Sequence, residues 1–227
     1  MSALFVTATG TDVGKTFVTC ALIRSLRAQG RDVAAIKPVV SGFDHARPDA
    51  SDTAALLASL GRPLTDATVA AVSPWRFAAP LSPDMAARRE NRVVDVPALV
   101  EFCRGWMAGP EPLLIEGIGG LMVPLDDRHT VLDWIGALDI PVLLVAGSYL
   151  GSLSHTLTAI DALAARRRSI TALVVSESPD STVPLDETVD TLRRFAVGVD
   201  VVALPRLAAR SEHPAFAKLA ALLSSAA

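Results

Sequence analysis

The sequence predicts an α/β fold, a mostly parallel β-sheet with helices on both faces. Three observations predict it. Short apolar runs alternate with longer amphipathic segments along the chain. The apolar runs are continuous rather than alternating, as strands covered on both faces require. A glycine-containing loop joins the first run directly to a helical segment. At 227 residues with 51% hydrophobic content, the chain buries a sizeable core and falls within the range of one α/β domain over residues 1–227.

In chain order, residues 4–7 form the first strand, and FVTCALIRSLRAQ is the body of a helix over 15–29. Gly30 stands where a helix C-terminal glycine is expected. A second strand over 33–37 stops at Pro38, which cannot donate to a ladder. Asp52 opens a helix over 52–60. Residues 60–95, rich in Pro, Ala and Arg and without a clear period, are an insertion of loops and short helices over the sheet edge, near the substrate site. Then follow a helix over 96–107, a strand over 113–115, a helix over 132–138, a strand over 142–146 and a helix over 153–167. A strand over 172–175, a helix over 185–195, a strand over 201–204 and a final helix from Pro214 complete the chain. The basic run 166–168 ends a predicted helix, where cations complement the macrodipole.

Several function classes are excluded. The net charge is −3 and the Lys and Arg residues are dispersed, which leaves no basic face for nucleic acid or an anionic membrane. Cys20 and Cys103 fall in predicted helices and read as small core residues of a reducing compartment. The segment MSALFVTATG has no cationic leader, and the longest later apolar run, at 140–146, contains Pro141 and is far below spanning length. A cytoplasmic protein is expected. His45, His129, His155 and His213 are scattered without zinc-ligand spacing, and no nucleophile elbow is present.

The chemistry begins after the first strand, at Thr9-Gly10-Thr11-Asp12-Val13-Gly14-Lys15-Thr16-Phe17. Loop N–H groups and a helix N-terminus facing a polyphosphate bind it through partial positive charge, Lys15 reaches the β and γ phosphates, and the Thr16 hydroxyl suits Mg²⁺. The pattern G-x4-G-K-[ST] is met at every position but one, where Thr9 replaces the first glycine. With its strand and helix, this segment predicts a P-loop NTPase-like fold that binds nucleotide. In a sheet of this kind ligands sit at the carboxyl ends of the strands. Lys37 ends the second strand, where it is either a solvated surface residue or a second charge for a transferred phosphoryl group. Glu116 closes the third strand, the place for a Mg²⁺ ligand, ahead of Gly117, Gly119 and Gly120. Those glycines serve either a close approach of backbone to ligand or positive φ angles. Asp52, read from its position, is an N-cap or first-turn carboxylate.

Taken together, the blocks TGTDVGKT, IKPVVSG at 36–42, SDTAAL from Ser51, SPWRFAAPLSP at 73–83, LLIEGIGGLMVPL at 113–125 and PVLLVAGSYLGSLSH at 141–155 resemble the dethiobiotin synthetase family. The resemblance implies a homodimer that uses ATP, Mg²⁺, CO₂ or bicarbonate and 7,8-diaminononanoate, with a carbamic-phosphoric anhydride on the path to dethiobiotin, ADP and phosphate. By position it implies that Lys15 and Lys37 neutralise the transferring phosphoryl group and that Thr16, Asp52 and Glu116 hold Mg²⁺. Thr11 and Ser41 would contact the carbamate or the diamine, and Gly119, Ser176 and Pro205 would complete the nucleotide site. Gly151, Ser152, Leu153 and Ser154, contributed across the dimer, would hold the substrate's carboxylate tail. Ser176 and Ser154 stand where the family commonly has Asn, and its late tyrosine has no counterpart, Tyr149 being the single tyrosine. Two rivals share the scaffold. A cobyrinic acid synthase-like enzyme needs an amidotransferase domain for which the chain has no room. A partitioning or metal-delivery switch ATPase carries a signature lysine where Gly10 stands.

Overall fold

The computed structural model describes residues 3–179, 181–208 and 211–225, the side chains of 223–225 excepted. In chain order its elements are β1 (Ala3–Ala8), α1 (Lys15–Ala28), β2 (Ala34–Ile36), β3 (Val39–Ser41), α2 (Asp52–Ser59), α3 (Asp66–Val72), β4 (Trp75–Phe77), α4 (Pro83–Arg89), α5 (Val96–Met107), β5 (Leu113–Glu116), α6 (Val131–Leu138), β6 (Val142–Gly147), α7 (Ser152–Ala165), β7 (Ile170–Ser176), α8 (Leu185–Phe195), β8 (Val201–Leu204) and α9 (Pro214–Ser225).

The continuous apolar runs become strands with both faces covered. All six residues of β1 are buried, as are all of β5 and β6. Phe5 of β1 packs into a cluster with Leu99 of α5 and Trp134 of α6. Its neighbours Leu4 and Val6 face the other way, against Leu22 of α1 and Phe216 of α9. That two-sided burial is why periodicity two is absent from the sequence of β1. The main sheet has six strands in the order β2-β5-β1-β6-β7-β8, and every pair is parallel. The chain therefore leaves β1 for the β5 side first and crosses later to β6, which makes the carboxyl end of β1 the crevice where the strand order reverses.

Structure and sequence reading differ chiefly where residues distant in the sequence meet. β2 ends at Ile36, one residue before Lys37, whose N–H donates to Val72 O at 3.1 Å and not to the sheet. β3 and β4 were not foreseen; they pair in parallel, Val39 with Trp75 through Ser41 with Phe77, as a separate two-stranded sheet. Three residues are too few for a period to show in the sequence. The 60–95 segment contains the helices α3 and α4 as well as β4, and Val69, Val72, Phe77 and Ala86 from it are buried in one cluster with Ile36 of edge strand β2. α7 ends at Ala165, so the run 166–168 follows the helix as its C-cap and turn, with Arg167 at φ 54°. Arg166 pairs with Asp133 at 3.0 Å and Arg168 with Asp139. Cys20 and Cys103 are free and buried, and burial pushes their thiols up to about 11 and about 12. Among the described residues no helix is long and apolar enough to cross a membrane.

Candidate functional site

Two loops meet at the crevice. The first runs from β1 to Gly14, which at φ 94° adopts the left-handed conformation that glycine reaches without strain and caps α1. Asp12 shares that conformation at φ 57°. The second leaves β5 alongside β1, held by Gly117 N–H to Val6 O and Leu121 N–H to Ala8 O, both 2.9 Å. A Cβ added to Gly120 would stand 3.2 Å from Gly10 Cα and N and from Thr9 C. The glycine thus serves the approach of one loop to the other, and those backbone atoms have no flexible end to yield. Gly120→Ala is expected to raise the KM for a nucleotide bound by these loops by about tenfold with the melting temperature little changed. An unchanged KM in steady-state kinetics would show that the first loop tolerates the displacement.

Beneath these loops lies a cluster of buried charge. Thr16 Oγ1 donates to Glu116 Oε1 at 2.5 Å, and Lys37 Nζ donates to the same oxygen at 2.8 Å. Lys37 also pairs with Asp52 and lies 3.4 Å from Thr16 Oγ1. Glu116 is fully buried and Lys37 nearly so, while the Asp52 side chain is half-exposed. The N-cap of α2 is Ser51, which accepts from Ala54 N–H at 3.2 Å; this leaves the Asp52 carboxylate to turn toward Lys37. Burial lowers the pKa of a lysine, yet Glu116 and Asp52 together outweigh it and raise Lys37 above the ordinary lysine value. For Asp52 burial acts upward and is outweighed, by Lys37 first, so its carboxyl lies below the ordinary range. Lys15 makes no ion pair with a described residue, and burial, then Lys37, lowers its pKa.

These directions set a pH window. Asp52, with a depressed folded value, contributes stability above 3.8 that is lost as pH falls through that folded value. Lys37, with a raised one, contributes stability below 10.5 that is lost as pH rises through its folded value. The stability difference between wild type and Lys37→Met is expected to be flat from about pH 5 to 9 and to shrink beyond both ends. Urea melts across pH check it, and a slope inside the window would mean that another group carries the titration.

A cavity of about 690 Å³ opens over the cluster. Of the residues singled out from the sequence, Thr11, Asp12, Gly14, Lys15, Thr16, Phe17, Lys37, Ser41, Asp52 and Gly119 line it, with Glu116 joined to it through Thr16 and Lys37. Val13 is buried in the core cluster that contains Val18 and Leu22 and does not line the cavity. Ser176 ends β7 outside the lining; its Oγ lies 3.0 Å from where a Cβ on Gly14 would be. Pro205 follows β8, beside Arg206, whose N–H donates to Glu177 Oε2 at 2.7 Å. Gly151, Ser152, Leu153 and Ser154 cap and begin α7 and do not line the cavity. Sequence reasoning missed Val40, Ile118 and Val123 as lining residues and singled out none of Pro80, Leu81, Ser82 and Pro83, although it set the 60–95 insertion that contains them near the substrate site.

Among the described residues no group of three or more His, Cys, Asp or Glu side chains could hold a metal ion. A hard cation that also takes phosphate oxygens needs fewer protein ligands, one or two carboxylates being usual for Mg²⁺. The donor set fits that case: two carboxylates and a hydroxyl converge, and the buried Glu116 Oε2 has no hydrogen-bond partner. Ser41 Oγ is likewise buried and unpartnered beside the cavity.

Comparison with known proteins extends the picture. A family model described as an AAA domain matches residues 2–212. An ATP-dependent dethiobiotin synthetase of Methylobacterium nodulans is 52% identical over 212 residues, covering 91% of this chain and 94% of its own length. Another from Caulobacter vibrioides is 51% identical over 210 residues, covering 91% and 93%. Among solved structures, the cell division ATPase MinD of Pyrococcus furiosus superposes over the whole of both chains with a TM-score of 0.57 at 18% identity. That likeness speaks to the fold, which is P-loop NTPase-like.

Proposed function

The chain belongs to the dethiobiotin synthetase family, and from that premise we propose that it converts 7,8-diaminononanoate, CO₂ and ATP to dethiobiotin, ADP and phosphate. It is an ATP-dependent ligase that forms C–N bonds. One amine of the substrate takes up CO₂ as a carbamate. A carbamate oxygen attacks the γ-phosphorus, ADP leaves, and the resulting carbamic-phosphoric anhydride is attacked at carbon by the second amine. Phosphate is expelled, the amine proton is lost, and the ureido ring closes.

The observation that carries this reading is the cluster of Lys37, Glu116, Asp52 and Thr16 at the base of a cavity that Lys15 also lines. Phosphoryl transfer asks for positioning and charge stabilisation more than for a covalent nucleophile, and no nucleophile is needed here. Lys15, which makes no ion pair with a described residue, meets the β and γ phosphates. Lys37 follows charge onto the transferring group. Thr11 and Ser41 orient the carbamate and diamine, and the apolar wall at Pro80 and Leu81 keeps water from the anhydride. Asp12, Val13, Gly14, Phe17 and Gly119 surround the nucleotide, and Ser176 and Pro205 stand toward its base. Thr16, Asp52 and Glu116, with phosphate oxygens, would hold Mg²⁺, whose chemistry is to draw charge from the β and γ phosphate oxygens. The protein works in the cytoplasm as a homodimer, with Gly151 to Ser154 of each copy reaching toward the substrate tail of the other. A switch ATPase reading has no support beyond the shared fold.

The test is ADP release by the purified protein with ATP, Mg²⁺, bicarbonate and 7,8-diaminononanoate, omitting each in turn, with mass detection of dethiobiotin. Release that needs both diamine and bicarbonate, with dethiobiotin formed, supports the proposal. Hydrolysis indifferent to the diamine would overturn it.

A further inference from the structure

The same cluster carries a second consequence, which rests on the reading of Thr16, Asp52 and Glu116 as metal ligands. We propose that Lys37 is the resident counter-cation of the Asp52–Glu116 pair and competes with a divalent cation for it, so that the site takes the metal together with nucleotide and excludes the metal alone.

The geometry supplies the competition. Lys37 Nζ bridges both carboxylates, and Glu116 Oε1 already accepts from Lys37 and from Thr16, the hydroxyl a metal would also use. Thr16 Oγ1, Glu116 Oε1 and Asp52 Oδ2 are thus already engaged, with Lys37 or with one another, while the buried Glu116 Oε2 has no hydrogen-bond partner among the described residues. Charge points the same way. At the base of the cavity the carboxylates of Asp52 and Glu116 and the ammonium groups of Lys15 and Lys37 sum to zero, the further carboxylate of Asp12 standing exposed on the loop. A divalent ion entering alone would leave two uncompensated positive charges and sit against an ammonium group that water hardly screens. A nucleotide polyphosphate reverses the balance. It offers Lys37 another anionic partner and leaves Asp52 and Glu116 short of positive charge, which the metal then supplies.

The length of the lysine stem makes the exchange feasible. The Lys37 backbone is tied to Val72 O, outside the sheet, so the four-carbon stem can swing its ammonium group toward phosphate without disturbing β2.

Mn²⁺, as the paramagnetic probe for this site, allows a direct test by electron paramagnetic resonance titration of the full chain without nucleotide. Wild type is expected to bind Mn²⁺ weakly, and Lys37→Met to bind it tighter by about tenfold or more and to rise in melting temperature on its addition. Adding Glu116→Gln to the Lys37→Met protein is expected to abolish both gains. Lys37→Gln, which keeps a donor toward Glu116 Oε1, makes the same comparison if the methionine variant does not fold. Equal Mn²⁺ affinity in wild type and the Lys37 variants overturns the proposal. A parallel titration with ATP present separates the two readings: nucleotide-dependent Mn²⁺ binding that survives Glu116→Gln overturns the assignment of Glu116 as a ligand, and with it the proposal that rests on it.

Discussion

Lys37→Ala is expected to lower kcat by about three orders of magnitude or more, with the KM for ATP moving by less than about threefold. Loss of one preorganised donor to a transition-state oxygen costs about 10²- to 10³-fold in other enzymes, and Lys37 brings a full charge in a site almost closed to water. ATP affinity is spared because the loop N–H groups and Lys15 bind the phosphates before charge migrates. Lys37→Arg is expected to rescue little, since the planar fork cannot take the place of a compact ammonium held between two carboxylates. Steady-state kinetics at saturating Mg²⁺, with melting curves to establish that each variant is folded, give the answer. A kcat within about tenfold of wild type removes Lys37 from the chemistry.

Trp134→Ala is expected to destabilise the fold by about 3–5 kcal/mol, measured by urea denaturation. Trp134 is among the largest fully buried side chains, and its ring meets Phe5 edge to face at 4.7 Å and 89°. Phe5 lies in β1, so the contact fastens α6 to the strand that leads into the phosphate loop. Truncation opens a cavity that backbone on both sides is too constrained to fill. Trp134→Phe keeps an aromatic partner and is expected to cost less than half as much. Below the melting range the Ala variant should retain its KM for ATP, because Trp134 does not itself line the cavity. A cost under about 1 kcal/mol would mean that α6 repacks against β1.

What could be read from the sequence was whatever covalent neighbours decide. The phosphate loop and α1 were legible because Gly14, Lys15 and Thr16 and the apolar spacing of Val18, Leu22 and Leu26 act within a few residues of one another. The two readings of Lys37 could not be separated in that way. Its burial depends on Glu116, far along the chain, and on α3 closing over β2 through Val72. The position of Asp52 allows an N-cap or a first-turn carboxylate, and with Ser51 taking the cap it is the second, from where its carboxylate meets Lys37. β3 and β4 escaped notice because each exists by virtue of the other. Gly120 was recognised as glycine chemistry, but its reason, contact with Gly10, belongs to two loops brought side by side by β1 and β5.

The place of β1 between β5 and β6 also bears on how the protein comes into being. Ala3 pairs with Leu113 and Phe5 with Val142, so β1 leaves the ribosome well ahead of both its sheet partners. At about 5–20 residues per second, that is a wait on the order of 5 to 20 s for an apolar segment whose every residue ends up buried. Pairings so distant also close slowly, because the entropy of the intervening chain is lost before any contact compensates. The nascent chain is therefore exposed to aggregation in the strand that finally carries the phosphate loop, and a chaperone that shields β1 would raise the yield of active enzyme more than one acting on the completed chain.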